Sequence, residues 1–314
     1  MRLKGRNVLV TGWAGFLGTH LCQKLVAEGA VVKALDMCAG GENSSPAALP
    51  GCDLVQCNVA NPDRVMDAAT GADTIVHLAF PMVLRQRAVD AQSVADIMAG
   101  LINLINAALE RNALLIYISS IAVYGNGRYV PIDEDHPLEP VLIHGAVKLA
   151  GENLCQVMAV SDGLRLVVLR VADIYGPGNA RLSVPIRFLL QAMRNQPITV
   201  YGDGLDSRTY TYVSDFTEAV VLSMNSPSAA GGNFNIGGDQ CISMLELAEA
   251  VREVTGSAGP VSRVERPGSG RKLHISSLKA KKVLGFKPTF GITDGLALTY
   301  EWIKDHPDFY QRHD

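Results

Sequence analysis

The chain has 314 residues, and 48% of them are hydrophobic, enough for a large core and too many for a disordered chain. Its 28 basic and 31 acidic side chains leave a net charge of −3, with no basic stripe of the kind that clamps nucleic acid. The six cysteines form no CxxC pair and have no histidine cluster beside them, so neither a zinc site nor a disulfide framework is expected. No uninterrupted apolar run reaches the roughly 18 residues of a membrane span, and the first one, Val8 to Val10, is too short for a signal peptide. The composition reads as a soluble, cytoplasmic protein without metal.

Along the first half, short β-rich runs fall at Asn7–Thr11, Val31–Asp36, Asp53–Gln56, Thr74–Leu78, Leu114–Ser119 and Leu166–Val171. Longer amphipathic stretches lie among them at Gly18–Glu28, Arg64–Thr70, Ala91–Arg111 and Ala146–Ser161. Strands alternating with helices predict an α/β fold, a parallel sheet with helices on both faces. After about residue 175 the grammar changes to short elements punctuated by Gly, Pro and Asn, as in Tyr175-Gly-Pro-Gly178 and Tyr201-Gly-Asp-Gly204. Two helical patterns persist there, Ser243–Thr255, opened by a Ser243/Glu246 capping box, and Thr293–Lys304. The chain therefore divides at residues 1–175 and 176–314, the second part being a smaller lobe interleaved with the first.

Thr11-Gly12-Trp13-Ala14-Gly15-Phe16-Leu17-Gly18 follows the first strand and opens the first helix. Glycines three apart let the backbone turn tightly, approach a pyrophosphate and pack helix on sheet. The free N–H groups of Phe16, Leu17 and their neighbours at the helix start suit phosphate oxygens. Asp36 ends the second strand, where a carboxylate accepts hydrogen bonds from an adenosine ribose and repels a 2′-phosphate, favouring NAD over NADP.

With these residues in place, the chain resembles the extended short-chain dehydrogenase/reductase family, the NAD-dependent nucleotide-sugar epimerases and dehydratases. Thr11–Gly18 is similar to its TGxxGxxG fingerprint, His77-Leu78-Ala79 to its HLA segment, and Ser119-Ser120-Ile121-Ala122-Val123-Tyr124-Gly125 to its SSxxVYG strand end. Leu169-Arg170 through Tyr175-Gly176-Pro177 is similar to LRxxNxYGP, and Tyr201-Gly-Asp-Gly204 with Arg208 and Tyr212-Val-Ser-Asp215 to YGDG…R…YVDD. Phe234-Asn-Ile-Gly237, Arg266-Pro-Gly268 and Leu284-Gly-Phe-Lys-Pro288 complete the series in family order. The resemblance implies a Rossmann-type doubly wound sheet with a C-terminal substrate lobe. It implies cofactor contacts at Gly12, Gly15, Phe16, Leu17, Gly18, Asp36, Asn58, Val59, Leu78, Ala79 and Lys148. It also implies a homodimer paired through Ala91–Arg111 and Ala146–Ser161, although core burial explains much of the same apolar pattern.

The family's acid/base pair is Tyr-x-x-x-Lys. Here Lys148 and Glu152 stand in their places, but the tyrosine position is His144. Tyr300 with Lys304 also has the spacing, yet lies far out of motif order and is read as accidental. A histidine titrates near 6.5, about 3.5 units below tyrosine, and neighbouring cations push it lower, so it would be mostly neutral and able to accept a proton. His144 is thus either a working base or the mark of a lost or altered activity. Ser120 matches the family's serine or threonine on the reacting oxygen.

By the same resemblance Arg208 and Arg266 clamp a substrate diphosphate, with Tyr201 and Asn235 on the nucleotide wall. Departures gather on this side: Asp173 replaces the Asn of NxYGP and would repel a diphosphate, Ile97 stands where Asn is common, Asn58 where Asp is common, and the RPGD motif ends in Ser269. The dehydratases' Asp-Glu pair is Ile121-Ala122 here, which removes that reaction's acid and base. The reading is an NAD-dependent epimerase acting on a UDP- or TDP-hexose. The alternatives are a non-epimerising dehydrogenase/reductase on another hydroxyl or keto substrate, and an impaired NAD-binding homologue.

Overall fold

The structure is a computed structural model that describes residues 1–38, 49–80, 90–266 and 271–310. Seven parallel strands form the main sheet: β1 (Asn7–Thr11), β2 (Val31–Asp36), β3 (Cys52–Gln56), β4 (Thr74–His77), β5 (Leu114–Ser120), β6 (Leu166–Val171) and β10 (Asn233–Ile236). Across the sheet they run β3-β2-β1-β4-β5-β6-β10, so the order reverses between β1 and β4. In an open α/β sheet that reversal leaves a crevice at the strands' carboxyl ends, where ligands bind.

The strands are apolar on both sides, Leu166-Val167-Val168-Leu169 in β6 being fully buried, because helices cover both faces. On one face α1 (Phe16–Ala27), α6 (Val213–Asn225) and α8 (Leu278–Leu284) set Leu21, Leu25, Phe216 and Leu284 against Val8, Val10 and Ile116. On the other, α2 (Pro62–Ala68), α3 (Ala91–Arg111) and α4 (Ile143–Ser161) set Val65, Leu101, Leu104 and Cys155 against Leu9, Ile75 and Leu115. By length and composition alone α3 would cross a membrane. Its Leu101, Leu104, Ile105 and Ala108 are instead buried in the core beneath the sheet.

The remaining strands are β7 (Asp173–Tyr175), β8 (Ile198–Tyr201), β9 (Ser207–Tyr212), β11 (Cys241–Ser243), β12 (Val261–Val264) and β13 (Lys272–Leu273). β9 pairs with β7, β11 and β13, and β8 pairs with β12. With α5 (Val184–Met193), α7 (Met244–Thr255) and α9 (Ile292–Asp305) they close a second core around Phe188, Tyr210, Leu247 and Leu296. The Ser243/Glu246 capping box opens α7 as expected.

Two helical patterns are legible in this half, and its described residues form five α-helices. The additional ones are α5, α6 and α8. α6 escapes pattern reading because nine of its residues, Val213 to Met224, are buried, which erases the polar face that gives a period. α6 and β10 also carry the C-terminal part back into the first body, where β10 pairs with β6 and α6 packs beside α1. Pro267, Gly268 and Ser269 lie outside the described residues.

Candidate functional site

The site is built where β1 and β4 part. Gly12 turns the chain out of β1 with φ +81°, and a Cβ there would sit 2.7 Å from the Ala79 nitrogen, so the loops after β1 and β4 touch only because the residue is glycine. A Cβ on Gly18 would fall 2.1 Å from the Gly12 carbonyl oxygen, which lets α1 lie directly on the turn. Gly15 differs: its Cβ would meet only that same oxygen, at 3.5 Å. The surface above Gly15 and the first turn of α1 is therefore an open cradle of backbone. Phe16 and Leu17 supply N–H groups to it while their side chains pack into the lobe's core.

Asp36, at the end of β2, accepts hydrogen bonds from Ala14 N–H at 3.0 Å and Cys38 N–H at 3.1 Å, which fixes its carboxylate at the cradle's rim. Asn58 is exposed and turns its oxygen to Ala60 N–H at 2.9 Å. Beside it, the Val59 carbonyl accepts from Asn103 of α3 at 3.0 Å. The open Gly15 surface, the N-terminus of α1 and a carboxylate at the end of β2 fit an adenine dinucleotide without a 2′-phosphate.

At the nicotinamide end, β5 finishes in Ser119 and Ser120. Ser120 starts a 3-10 turn, Ile121–Tyr124, its hydroxyl oxygen accepting from Ala122 N–H at 3.2 Å, and so keeps its own proton free to donate. α4 begins against this turn, with Gly145 packed on the Ala122 carbonyl. That contact brings His144 and Lys148, one helical turn apart, to the mouth of the crevice. Lys148 is buried; its Nζ donates to the Ile118 carbonyl at 2.7 Å and lies 4.3 Å from the Phe80 ring centre and 5.1 Å from that of Tyr117. Burial pushes its ammonium down to about 7, against the opposing pull of Glu152 and Cys155. His144 meets Phe80 edge to face, with ring centres 5.0 Å apart.

Beneath this pair runs a buried polar chain. Glu152 accepts from Ser119 and from both Nε and Nη2 of Arg170, the latter at 2.8 Å. Arg170 also donates to the Tyr124 hydroxyl at 2.9 Å, which donates to Asn235 at 2.7 Å. Asn235 is therefore sealed inside the sheet and not on a cleft wall. His77, also buried, pairs its Nδ1 with Thr11 Oγ1 at 2.8 Å; burial and then the Lys148 charge push it down to about 3.

On the lobe side, Asp173 is half exposed and paired: it accepts from Arg208 Nη1 at 3.0 Å. Arg266 likewise donates from Nη2 to Asp206. Among the described residues each guanidinium keeps Nε and a second amino group for a further anion, so pairing orients both forks. Tyr201 is exposed at the end of β8. Arg187, from α5, places its guanidinium 5.9 Å from that ring and holds a buried Nε–H that has no partner among the described residues. Arg187 and Phe80 belong to no motif and were missed in sequence; only a pattern of buried neighbours reveals them. Tyr300 and Lys304 lie together on α9, where Lys304 pairs with Glu301, away from the crevice.

This geometry is that of a Rossmann-type dinucleotide-binding enzyme with a second, smaller α/β core. The comparisons agree: the chain belongs to the NAD dependent epimerase/dehydratase family, whose profile matches residues 8–237. The cofactor of that family is NAD. The chain is 31% identical to a dTDP-glucose 4,6-dehydratase of Streptomyces griseus, over 97% of this chain and 96% of that one. It is 30% identical to UDP-glucuronic acid decarboxylase 1 of Arabidopsis thaliana, over 93% and 68% respectively. The structure of UDP-glucose 4-epimerase from Thermotoga maritima, with UDP-glucose, superposes with a TM-score of 0.85 at 26% identity, covering 96% of this chain and 99% of that one. Three reactions thus appear among relatives of similar identity.

Proposed function

We propose that the protein is an epimerase of nucleotide sugars, acting on a UDP- or TDP-hexose, with His144 as its acid/base. The observation that carries this is the Ser120–His144–Lys148 arrangement at the crevice mouth, where the neighbouring carboxylate, Glu152, is already taken up by other groups. Ile121 and Ala122 have no titratable group, and Glu152 is committed to Arg170 and Ser119. Gly12, Gly15, Phe16, Leu17, Gly18, Asp36, Asn58, Val59, Leu78 and Ala79 would hold NAD, and Lys148 its nicotinamide ribose. When bound, NAD supplies a reversible hydride acceptor. The Ser120 hydroxyl donates to the sugar oxygen and orients it. His144 takes the hydroxyl proton on a ring nitrogen and later returns it. Lys148 contributes positive charge that favours the oxyanion. Arg208, Arg266 and Tyr201 hold the nucleotide while the sugar turns, and Arg187 extends their wall.

The test is the absorbance of reduced nicotinamide when the NAD-loaded protein meets UDP-, TDP- and GDP-sugars in turn. A transient signal with one sugar, abolished by His144→Ala, is the expected result. Silence across the panel, with NAD and sugar binding measured separately, refutes it, and recovery in His144→Tyr would then identify a disabled site. A second reading is favoured by the Asp173–Arg208 and Asp206–Arg266 pairs, which temper the positive charge offered to a diphosphate. In it the substrate is another hydroxyl or keto compound, and free UDP or TDP does not compete. We also infer a homodimer through the outer faces of α3 and α4, where Ile102, Val157 and Val160 are exposed.

A further inference from the structure

Phe80 directly follows His77-Leu78-Ala79 and lies at the crevice, yet none of the roles above uses it. Its ring is partly buried, packed with Val94 and Ile97 of α3 and with Ile143 and Val147 of α4. That socket stands it between the two groups on α4 that the reaction needs. The ring's face is 4.3 Å from Lys148 Nζ, while His144 meets it at 5.0 Å with the ring planes 80° apart.

We propose that Phe80 is a positioning residue that holds His144 and Lys148 as one unit, its edge contact orienting the imidazole and its ring walling the ammonium from water. The inference deepens the epimerase reading and rests on it for the role of His144. A histidine side chain is shorter than the tyrosine it replaces, and an edge-to-face neighbour restricts its rotation about the χ2 bond. Lys148 is faced by Glu152 and Cys155 from its own helix, by His77 from β4, by Tyr117 from β5 and by Phe80. Of these, Phe80 and Tyr117 present aromatic rings to the ammonium. An aromatic ring does two opposite things to an ammonium: it excludes water, which favours the neutral amine, and its π face attracts the charge. Burial is the larger effect here, since Lys148 is held near 7 although Glu152 stands beside it.

Two substitutions separate those effects. Phe80→Ala opens the wall and admits water. Phe80→Leu keeps the wall but removes the π face. The Lys148 midpoint is followed by NMR of ¹³C-lysine-labelled protein without added ligand, its signal assigned with Lys148→Met. In Phe80→Ala it should rise by about one unit or more, and in Phe80→Leu fall by about half a unit. With a substrate that reduces bound NAD, Phe80→Ala should also lower kcat about tenfold and leave KM little changed. A midpoint that stays put or falls in Phe80→Ala, or that fails to fall in Phe80→Leu, overturns the proposal. If Phe80→Ala does not fold, the leucine variant decides alone. Because the midpoint is read without substrate, opposite shifts with no sugar reducing NAD would retain Phe80's action on Lys148 and discard the epimerase reading.

Discussion

Replacing Glu152 by glutamine should be among the most damaging single changes to stability that leave side-chain volume intact. Both partners of the Glu152–Arg170 pair are 1% exposed, so neither charge has water to fall back on. The carboxylate accepts from Ser119, twice from Arg170 Nε at 3.1 and 3.2 Å, and from Arg170 Nη2 at 2.8 Å. Glutamine offers one oxygen and turns an NH₂ group toward a guanidinium that has only donors. Breaking one side of a buried pair costs about 3–5 kcal/mol, chiefly because the remaining charge is stranded. For a chain of this size that is a fall in Tm on the order of 10 °C. Thermal and urea unfolding at neutral pH, followed by circular dichroism, measure it. Glu152→Met combined with Arg170→Met should lose less than the two single changes summed, since it strands nothing. A loss below about 1 kcal/mol in Glu152→Gln would refute the reasoning, because it would mean that water reaches the pair.

The glycine loop separates a binding effect from a folding effect. Gly15→Ala should fold with stability near that of the parent but bind NAD at least tenfold more weakly by titration, whereas Gly18→Ala, with its Cβ 2.1 Å from a carbonyl oxygen, should unfold at lower temperature. Equal Tm losses in both would count against the open cradle. His77 gives a pH signature: the unfolded chain takes a proton on it below about 6.5 and the folded one only near 3, so stability should drop as pH falls through that window. His77→Gln should flatten that slope in urea titrations at stepped pH, and an unchanged slope would exclude His77 as its source. Val157→Lys with Val160→Lys should convert a dimer to a monomer in sedimentation velocity, with circular dichroism unchanged; a parent that already sediments as a monomer removes the dimer proposal.

Much of the first body was legible because its signals are local. β1, β2 and β6 begin and end where the β-rich runs of the sequence do, and the glycine loop is contiguous in sequence. What remained hidden depends on partners distant in the chain. Asp173 looks like a repellent for phosphate until Arg208, 35 residues on, is seen to hold it, and Arg266 reaches back 60 residues to Asp206. Asn235 sits in a motif, but its role is to accept from a tyrosine 111 residues earlier. Arg170 stands in a motif too, but its partner, Glu152, rises from α4, 18 residues earlier. Phe80 carries no pattern at all, since its meaning lies in standing between two side chains of another helix.

The position of β10 bears on how this chain can be divided. A cut after Tyr175 would remove the neighbour that caps β6, leaving a six-residue strand, five of its residues apolar, with one row of backbone donors and acceptors open to solvent. It would also strip α6 and α8 from one face, baring Val167 and Leu169. An unpaired hydrophobic edge of that kind recruits other strands. The cofactor-binding half is thus not a portable module: its last strand is made some sixty residues later, and the nascent sheet must wait for the lobe to be synthesised before its rim is closed.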